Sequence, residues 1–260
     1  MSSQPLTLSF IGNTQVARQV ARSFPLWFCE VDAGGDVIWV DSASWVSDSA
    51  TALAHGARLV IVDRPAVTAA AVDTLAGAPV VLCDDYTHSP AIVEFAQQAG
   101  AVRDQIDWVE VLLRGSDGTP SLWSGLVTLT ACGLPVDTVP VTTPSPALMA
   151  DARSAGARVH ITGVHDSRNG VTVKAFGPFG SLELRLGDPA AANPGEVIST
   201  GQDHACLAKL EFQTSRRAAL KEAYTALATG LAITSRLDDY ALAVSLFEQW
   251  CGQCDPSPIF

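Results

Sequence analysis

Short, mainly apolar runs alternate with stretches of helical spacing over the first hundred residues. Leu6–Ile11 is one such run, and it ends at Gly12 as a strand followed by a turn. Thr14–Phe24 places Val16, Ala17, Val20 and Ala21 on one helical face. Leu26–Val31 predicts a second strand, which Val37–Val40 extends or answers as a hairpin after Gly34-Gly35. Arg58–Val62 and Pro79–Cys83 predict buried strands, followed by helices over Ala66–Leu75 and Pro90–Ala99. Strands without a polar face, separated by helices, predict a parallel sheet covered on both sides. Right-handed crossovers make that an α/β domain of nucleotide-binding type.

The pattern changes after Ala101. Trp108–Leu113 reads as a strand before a turn at Gly115-Ser116-Asp117-Gly118, and Ser121–Cys132 as a helix or a buried strand. A connection rich in proline follows, at Pro135, Pro140, Pro144 and Pro146. Arg158–Val164, Val171–Phe176 and Ser181–Leu186 predict an antiparallel meander with Glu196–Thr200 as an edge strand. Two helices close the chain, Ser215–Thr229 and Leu237–Gln249, the second opened by a capping pattern at Ser235-x-x-Asp238. The apolar stripe Leu237, Ala241, Val244 and Phe247 reads as core. The boundary falls near residue 103: a Rossmann-like parallel-sheet domain over 1–103, an α+β domain with a mainly antiparallel sheet over 104–250, and a tail over 251–260.

Composition narrows the partners rather than the chemistry. The 260 residues are 48% hydrophobic and 17% charged, with a net charge of −11. That suits one large folded domain or two modest ones. The acidity disfavours nucleic acid and anionic membrane surfaces. No apolar run approaches the ~20 residues of a membrane span, and no basic region precedes an apolar stretch at the N-terminus. A cytoplasmic protein acting on a small molecule is expected. The six cysteines read as small core residues of a reducing compartment. His160 and His165 flank one strand and point to opposite faces, so a shared metal is not expected. Trp250-Cys251-Gly252-Gln253-Cys254 copies a thioredoxin-type string, but it follows a helix instead of opening one, and Gly252 reads as a helix C-cap.

The first strand ends in Gly12-Asn13-Thr14-Gln15-Val16-Ala17, a G-x-G-x-x-A dinucleotide fingerprint with Thr14 in place of its middle glycine. A tight turn without a ligand fits equally well. Asp32, twenty residues on, suits a carboxylate bonded to an adenine ribose, which disfavours NADP, or an ordinary polar turn.

At this point the segments resemble a family. Arg58–Thr68 and Pro79–Ala91 look like the third and fourth parallel strands of the Gfo/Idh/MocA oxidoreductases, and more narrowly of their thiazolinyl imine reductase branch. That branch carries Arg-Ser-x-x-x-Gly-Gly where this chain has Arg64-Pro65-Ala66-Val67-Thr68-Ala69-Ala70. It carries Glu-His-Pro-Leu-His where this chain has Asp84-Asp85-Tyr86-Thr87-His88. Gly180-Ser181-Leu182-Glu183-Leu184 is similar to the family's C-terminal sheet. Asp85 stands where the wider family has a lysine beside the nicotinamide and the branch a histidine, and a substrate-domain stretch with an acid tyrosine is missing. The resemblance implies an oxidoreductase fold, a homodimer through the open sheet face, and NAD(P) as cofactor, or none if the site has degenerated.

The remaining residues supply the chemistry. Asp84 and Asp85 alternate sides on an extended chain, and a carboxylate beside a like charge can deliver a proton near neutrality. The candidate catalytic residues are therefore Asp85, Asp84 and His88, with Arg64 and Tyr86 for substrate and Gly12, Thr14, Ala17 and Asp32 for the cofactor. Arg64 holds a substrate carboxylate or makes a salt bridge with Asp63 or Asp84, and His88 is catalytic or sits structurally before the Pro90 helix. The expected function is an enzyme of specialised metabolism that reduces a C=N bond with NAD(P)H. The alternatives are a cofactor-independent enzyme that forms or cyclises an iminium, of Pictet–Spengler type, and a non-catalytic binding or scaffold protein.

Overall fold

The computed structural model describes residues 4–68, 72–115, 122–138, 148–188, 195–201, 203–210, 212–231, 233 and 237–253. In chain order the first part contains β1 (Leu6–Gly12), α1 (Gln15–Ala21), β2 (Phe28–Glu30), β3 (Val37–Asp41), α2 (Trp45–Ala54), β4 (Leu59–Asp63) and β5 (Val80–Cys83). These strands form a five-stranded parallel sheet in the order β2-β1-β3-β4-β5. Every residue of β4 is buried, as a strand covered on both faces requires. Leu8, Trp39, Leu59 and Ile61 face one layer of packing, and Val60 and Val62 alternate to the other.

The second part contains α3 (Pro90–Ala101), β6 (Trp108–Gly115), α4 (Leu122–Ala131), β7 (Leu148–Ser154), β8 (Ala157–His165), β9 (Gly170–Gly177), β10 (Gly180–Leu186), β11 (Glu196–Thr200) and β12 (Ala205–Leu207). Its seven strands run in the order β12-β11-β10-β9-β6-β8-β7, antiparallel except for the β6–β8 pair. Val109, Val111, Val173, Leu184 and Ile161 form the buried face, against α3 and α4. Two helices follow, α5 (Ser215–Thr229) and α6 (Leu237–Gln253). Thr214 caps α5 through its side chain, and Gly230, at φ +71, ends it.

The chain divides into two compact units, residues 1–88 with 214–241, and residues 89–213 with 242–260. This partition departs from a single boundary near residue 103. Ala219, Leu220 and Ala223 of α5 enter the core of the first sheet, so the late helix completes the early unit.

Several local expectations change. Val37–Asp41 neither extends β2 nor forms a hairpin with it, but pairs in parallel with the opposite side of β1. Its buried, apolar run suits the sheet interior, and the Asp36 carboxylate, which accepts the Thr7 N–H at 2.9 Å and the Thr7 hydroxyl at 2.8 Å, anchors the start of β3 beside β1. The helix expected over Ala66–Leu75 is only a 3₁₀ turn at Val72–Leu75 among the described residues. The helix α2 was not foreseen, because its Ser- and Thr-rich sequence has weak helix propensity. Neither were β7 and β12, and β12 displaces β11 from the sheet edge. Of the segment 121–132, which admitted a helix or a buried strand, residues 122–131 form a helix, α4. Gly252 lies inside α6 and is not its cap. The turn at 116–118, Pro140, Pro144 and Pro146, the Ser235 cap, Ala69 and Ala70, and Cys254 with the tail fall outside the described residues. No helix among the described residues is long and apolar enough to cross a membrane, and no cluster of metal-ligating side chains occurs among them.

Candidate functional site

In open α/β sheets, ligands bind beyond the carboxyl ends of the strands, where neighbouring connections leave in opposite directions. In this sheet order that point lies between β1 and β3. Gly12 there pairs in register with Asp41, and Asp63 pairs with Cys83 on the next two strands.

The β1 turn holds three of the expected cofactor residues. Gly12 has φ +91, and a Cβ there would stand 2.0 Å from the Asp41 carbonyl oxygen. Glycine is therefore required by the approach of β3 itself. Thr14 is buried at the N-cap of α1, yet its side chain makes no capping bond; its Oγ1 accepts from Arg18 Nε at 3.3 Å. Ala17 is buried and lets α1 lie close on the sheet. The fourth residue follows β2. The Leu8–Glu30 register, with the Val31 N–H donating to the Leu8 carbonyl, carries the exposed Asp32 past the end of β2 to the level of Phe10. Two residues of strand, ~7 Å of rise, separate that level from Gly12. The carboxylate in register with Gly12 is Asp41.

Arg64 follows β4 in the left-handed region, at φ 49, with its N–H donating to the Cys83 carbonyl at 2.7 Å. A non-glycine residue held there is strained, and such strain collects at functional sites. The kink directs Arg64 to Asp41, where Nη2 donates to Oδ2 at 2.9 Å. That hydrogen bond raises the arginine's pKa. Arg64 therefore makes a salt bridge, but with Asp41 where Asp63 or Asp84 was expected.

The loop after β5 carries the expected proton donors, and the structure separates their tasks. Asp84 Oδ1 accepts the N–H groups of Tyr86 and Thr87, both at 2.7 Å, and so shapes the turn. Asp85 is 46% exposed and accepts from Arg216 Nη1 at 2.8 Å. Its close neighbour is thus a guanidinium, not the second carboxylate that a shared proton requires. Tyr86 is half-buried on the same loop. His88 is buried, with Nε2 at 2.8 Å from the Leu82 carbonyl and Nδ1 at 3.1 Å from Glu222 Oε2. Its N–H donates to Ser215 Oγ at 3.0 Å. His88 fastens the loop to α5, which is the structural role.

Sequence reasoning missed Arg216. Its Nε donates to both oxygens of Asp63, at 3.1 and 2.8 Å, while Nη1 reaches Asp85. Asp63 is only 3% exposed. Burial pushes its carboxyl up, against the pull of Arg216. Burial also works against the Arg216 charge, but the bond to Asp63 outweighs it and raises that pKa. Nothing local marks Arg216, which lies in the first turn of a helix far along the chain. Cys83, beside Ser215, has its thiol pushed well above 9.0 by burial.

A concavity of about 580 Å³ lies elsewhere, on the outer face of the second sheet. Its Lys174, Glu183, Arg185 and Glu196 pair with one another. It holds none of the residues singled out above.

No protein-family model matches the chain, and no curated relative matches it in sequence. Solved structures match along almost its whole length. UDP-N-acetylglucosamine 3-dehydrogenase GnnA from Acidithiobacillus ferrooxidans has a TM-score of 0.70 at 12% identity, covering 95% of this chain and 96% of that one. Aldose-aldose oxidoreductase from Caulobacter crescentus has a TM-score of 0.69 at 13% identity, over 95% and 97%. The 3-ketoreductase KijD10 from Actinomadura kijaniata, in complex with NADP, has 0.64 at 14% identity, over 95% and 97%. The fold is that of the Gfo/Idh/MocA-type dehydrogenases. In a Gfo/Idh/MocA-type fold the parallel sheet and the mainly antiparallel sheet are the two expected parts, and both are present.

Proposed function

We propose that this chain is an oxidoreductase that reduces the C=N bond of a small imine with NAD(P)H. The observation carrying the reading is the full-length fold match to dehydrogenases and reductases, one of them in complex with NADP. The β1 turn fits the phosphate end of a dinucleotide, because Gly12 leads the chain from the strand straight to the start of α1, where Thr14 makes no capping bond. Gly12, Thr14 and Ala17 would hold it, and the nicotinamide would supply a hydride. Asp85 lies at the same end of the sheet. Its carboxylate is half-exposed, and its face away from Arg216 would stabilise the protonated iminium, the form that accepts a hydride.

The second reading is a cofactor-independent enzyme that forms or cyclises an iminium at the same carboxylates. Thr14 in place of the fingerprint's middle glycine, buried and bonded by Arg18, favours it. Titration with NADH and NADPH, followed by energy transfer from tryptophan, separates the two. Micromolar binding supports the reductase; no binding up to millimolar concentration removes it, and product from an amine-plus-aldehyde panel without nicotinamide then supports the cyclase over a non-catalytic protein. A homodimer and a cytoplasmic location complete the reading, the first tested by sedimentation equilibrium.

A further inference from the structure

We infer that Arg216 is the positioning residue of this site, holding Asp85 where the reacting nitrogen must bind; this rests on the reading of Asp85 above. Three observations meet at one side chain. Arg216 Nε is seated on both oxygens of Asp63, a carboxylate at the buried end of β4. That leaves Nη1 directed to Asp85 on the loop after β5, at 2.8 Å. The same loop is fastened to the same helix by the Ser215 and Glu222 contacts of His88. The anchor is rigid because Asp63 ends a fully buried strand, and the left-handed Arg64 that follows sends its own guanidinium away to Asp41. Asp63 therefore gives both its oxygens to Arg216 Nε, while the Arg64 guanidinium bonds to Asp41.

The planar guanidinium suits this task. Its fork reaches two carboxylates in fixed relative positions, whereas an ammonium is a single point of charge. Lysine at 216 can keep the Asp63 pair and the fold, but it cannot hold Asp85 at the same time.

The test compares wild type with Arg216→Lys, Asp63→Asn and Asp85→Asn. With NADPH and 2-methyl-1-pyrroline as the probe imine, Arg216→Lys is expected to lower kcat by about 10- to 100-fold with KM changed less than about threefold. Its melting temperature should stay near that of wild type. Unchanged kcat in Arg216→Lys overturns the inference. If wild type does not turn over this probe, the reductase reading fails there, and the positioning claim is judged by nitrogen-15 NMR of the arginine side chains. One Nε–H signal should be protected from exchange, vanish in Asp63→Asn and shift in Asp85→Asn. A signal indifferent to Asp85→Asn overturns the inference whatever the activity.

Discussion

Asp36 decides the neighbour of β1, and removing it should be felt throughout the first unit. One oxygen, Oδ2, takes both the N–H and the hydroxyl of Thr7, at 2.9 and 2.8 Å, and Thr7 Oγ1 takes the Asp36 N–H at 2.8 Å. A hydrogen bond to a charged acceptor contributes ~1.5–3 kcal/mol net. The Asp36 side chain is 29% exposed, so the lower part of that range applies to each bond. Asp36→Ala should cost about 2–4 kcal/mol, and Asp36→Asn, which keeps an acceptor oxygen without charge, about 1–2 kcal/mol. Arg58 Nη1 lies 3.3 Å from the other oxygen. Being exposed, it adds at most ~1 kcal/mol. The assay is urea unfolding followed by tryptophan fluorescence. The sign of the pH dependence is fixed by the geometry. Thr7's backbone bond holds the Asp36 carboxyl below its ordinary 3.8, so the native state binds fewer protons than the unfolded one. The stabilisation is complete above 3.8 and is lost as pH falls through the lower folded value. The gap between wild type and Asp36→Asn should therefore be full at neutral pH and close in acid. A gap below ~0.5 kcal/mol at neutral pH, where a charge-assisted bond should exceed it, or one that widens on acidification, would refute the reasoning.

Three further outcomes are expected. Gly12→Ala puts a methyl 2.0 Å from the Asp41 carbonyl oxygen at φ +91; it should cost ~3 kcal/mol or more, read as a fall in melting temperature. Glu183 feels burial that raises its pKa, but Arg185 and Lys174 outweigh it and hold the carboxyl below 4.5. Glu183→Gln should thus lose ~1 kcal/mol at neutral pH, and the difference should vanish as pH falls through the folded value. Iodoacetamide on the native protein should label the exposed Cys29 and Cys206 and spare the buried Cys83, as peptide mapping will show.

The strands that are buried on both faces were legible because their apolar runs admit no other environment; β4 and β5 are the clear cases. The helix α5 was legible too, at Ser215–Thr229, the bounds that the structure gives it. The strand order was not, because it depends on Asp36 meeting Thr7, and one Asp before a β run carries no such signal. The candidate loop 84–88 was found from the sequence, but the division of labour within it depends on Arg216, Ser215 and Glu222, which only folding brings near.

The return of α5 to the first sheet has a consequence for biosynthesis. A ribosome releases residues 1–88 long before residues 215–229 exist, so a nascent chain carries the side of that sheet meant for Ala219, Leu220 and Ala223 uncovered through most of translation. During this interval the emerging polypeptide exposes sticky surface that chaperones must shield, and a product cut off before the final two helices would remain a substrate for proteases.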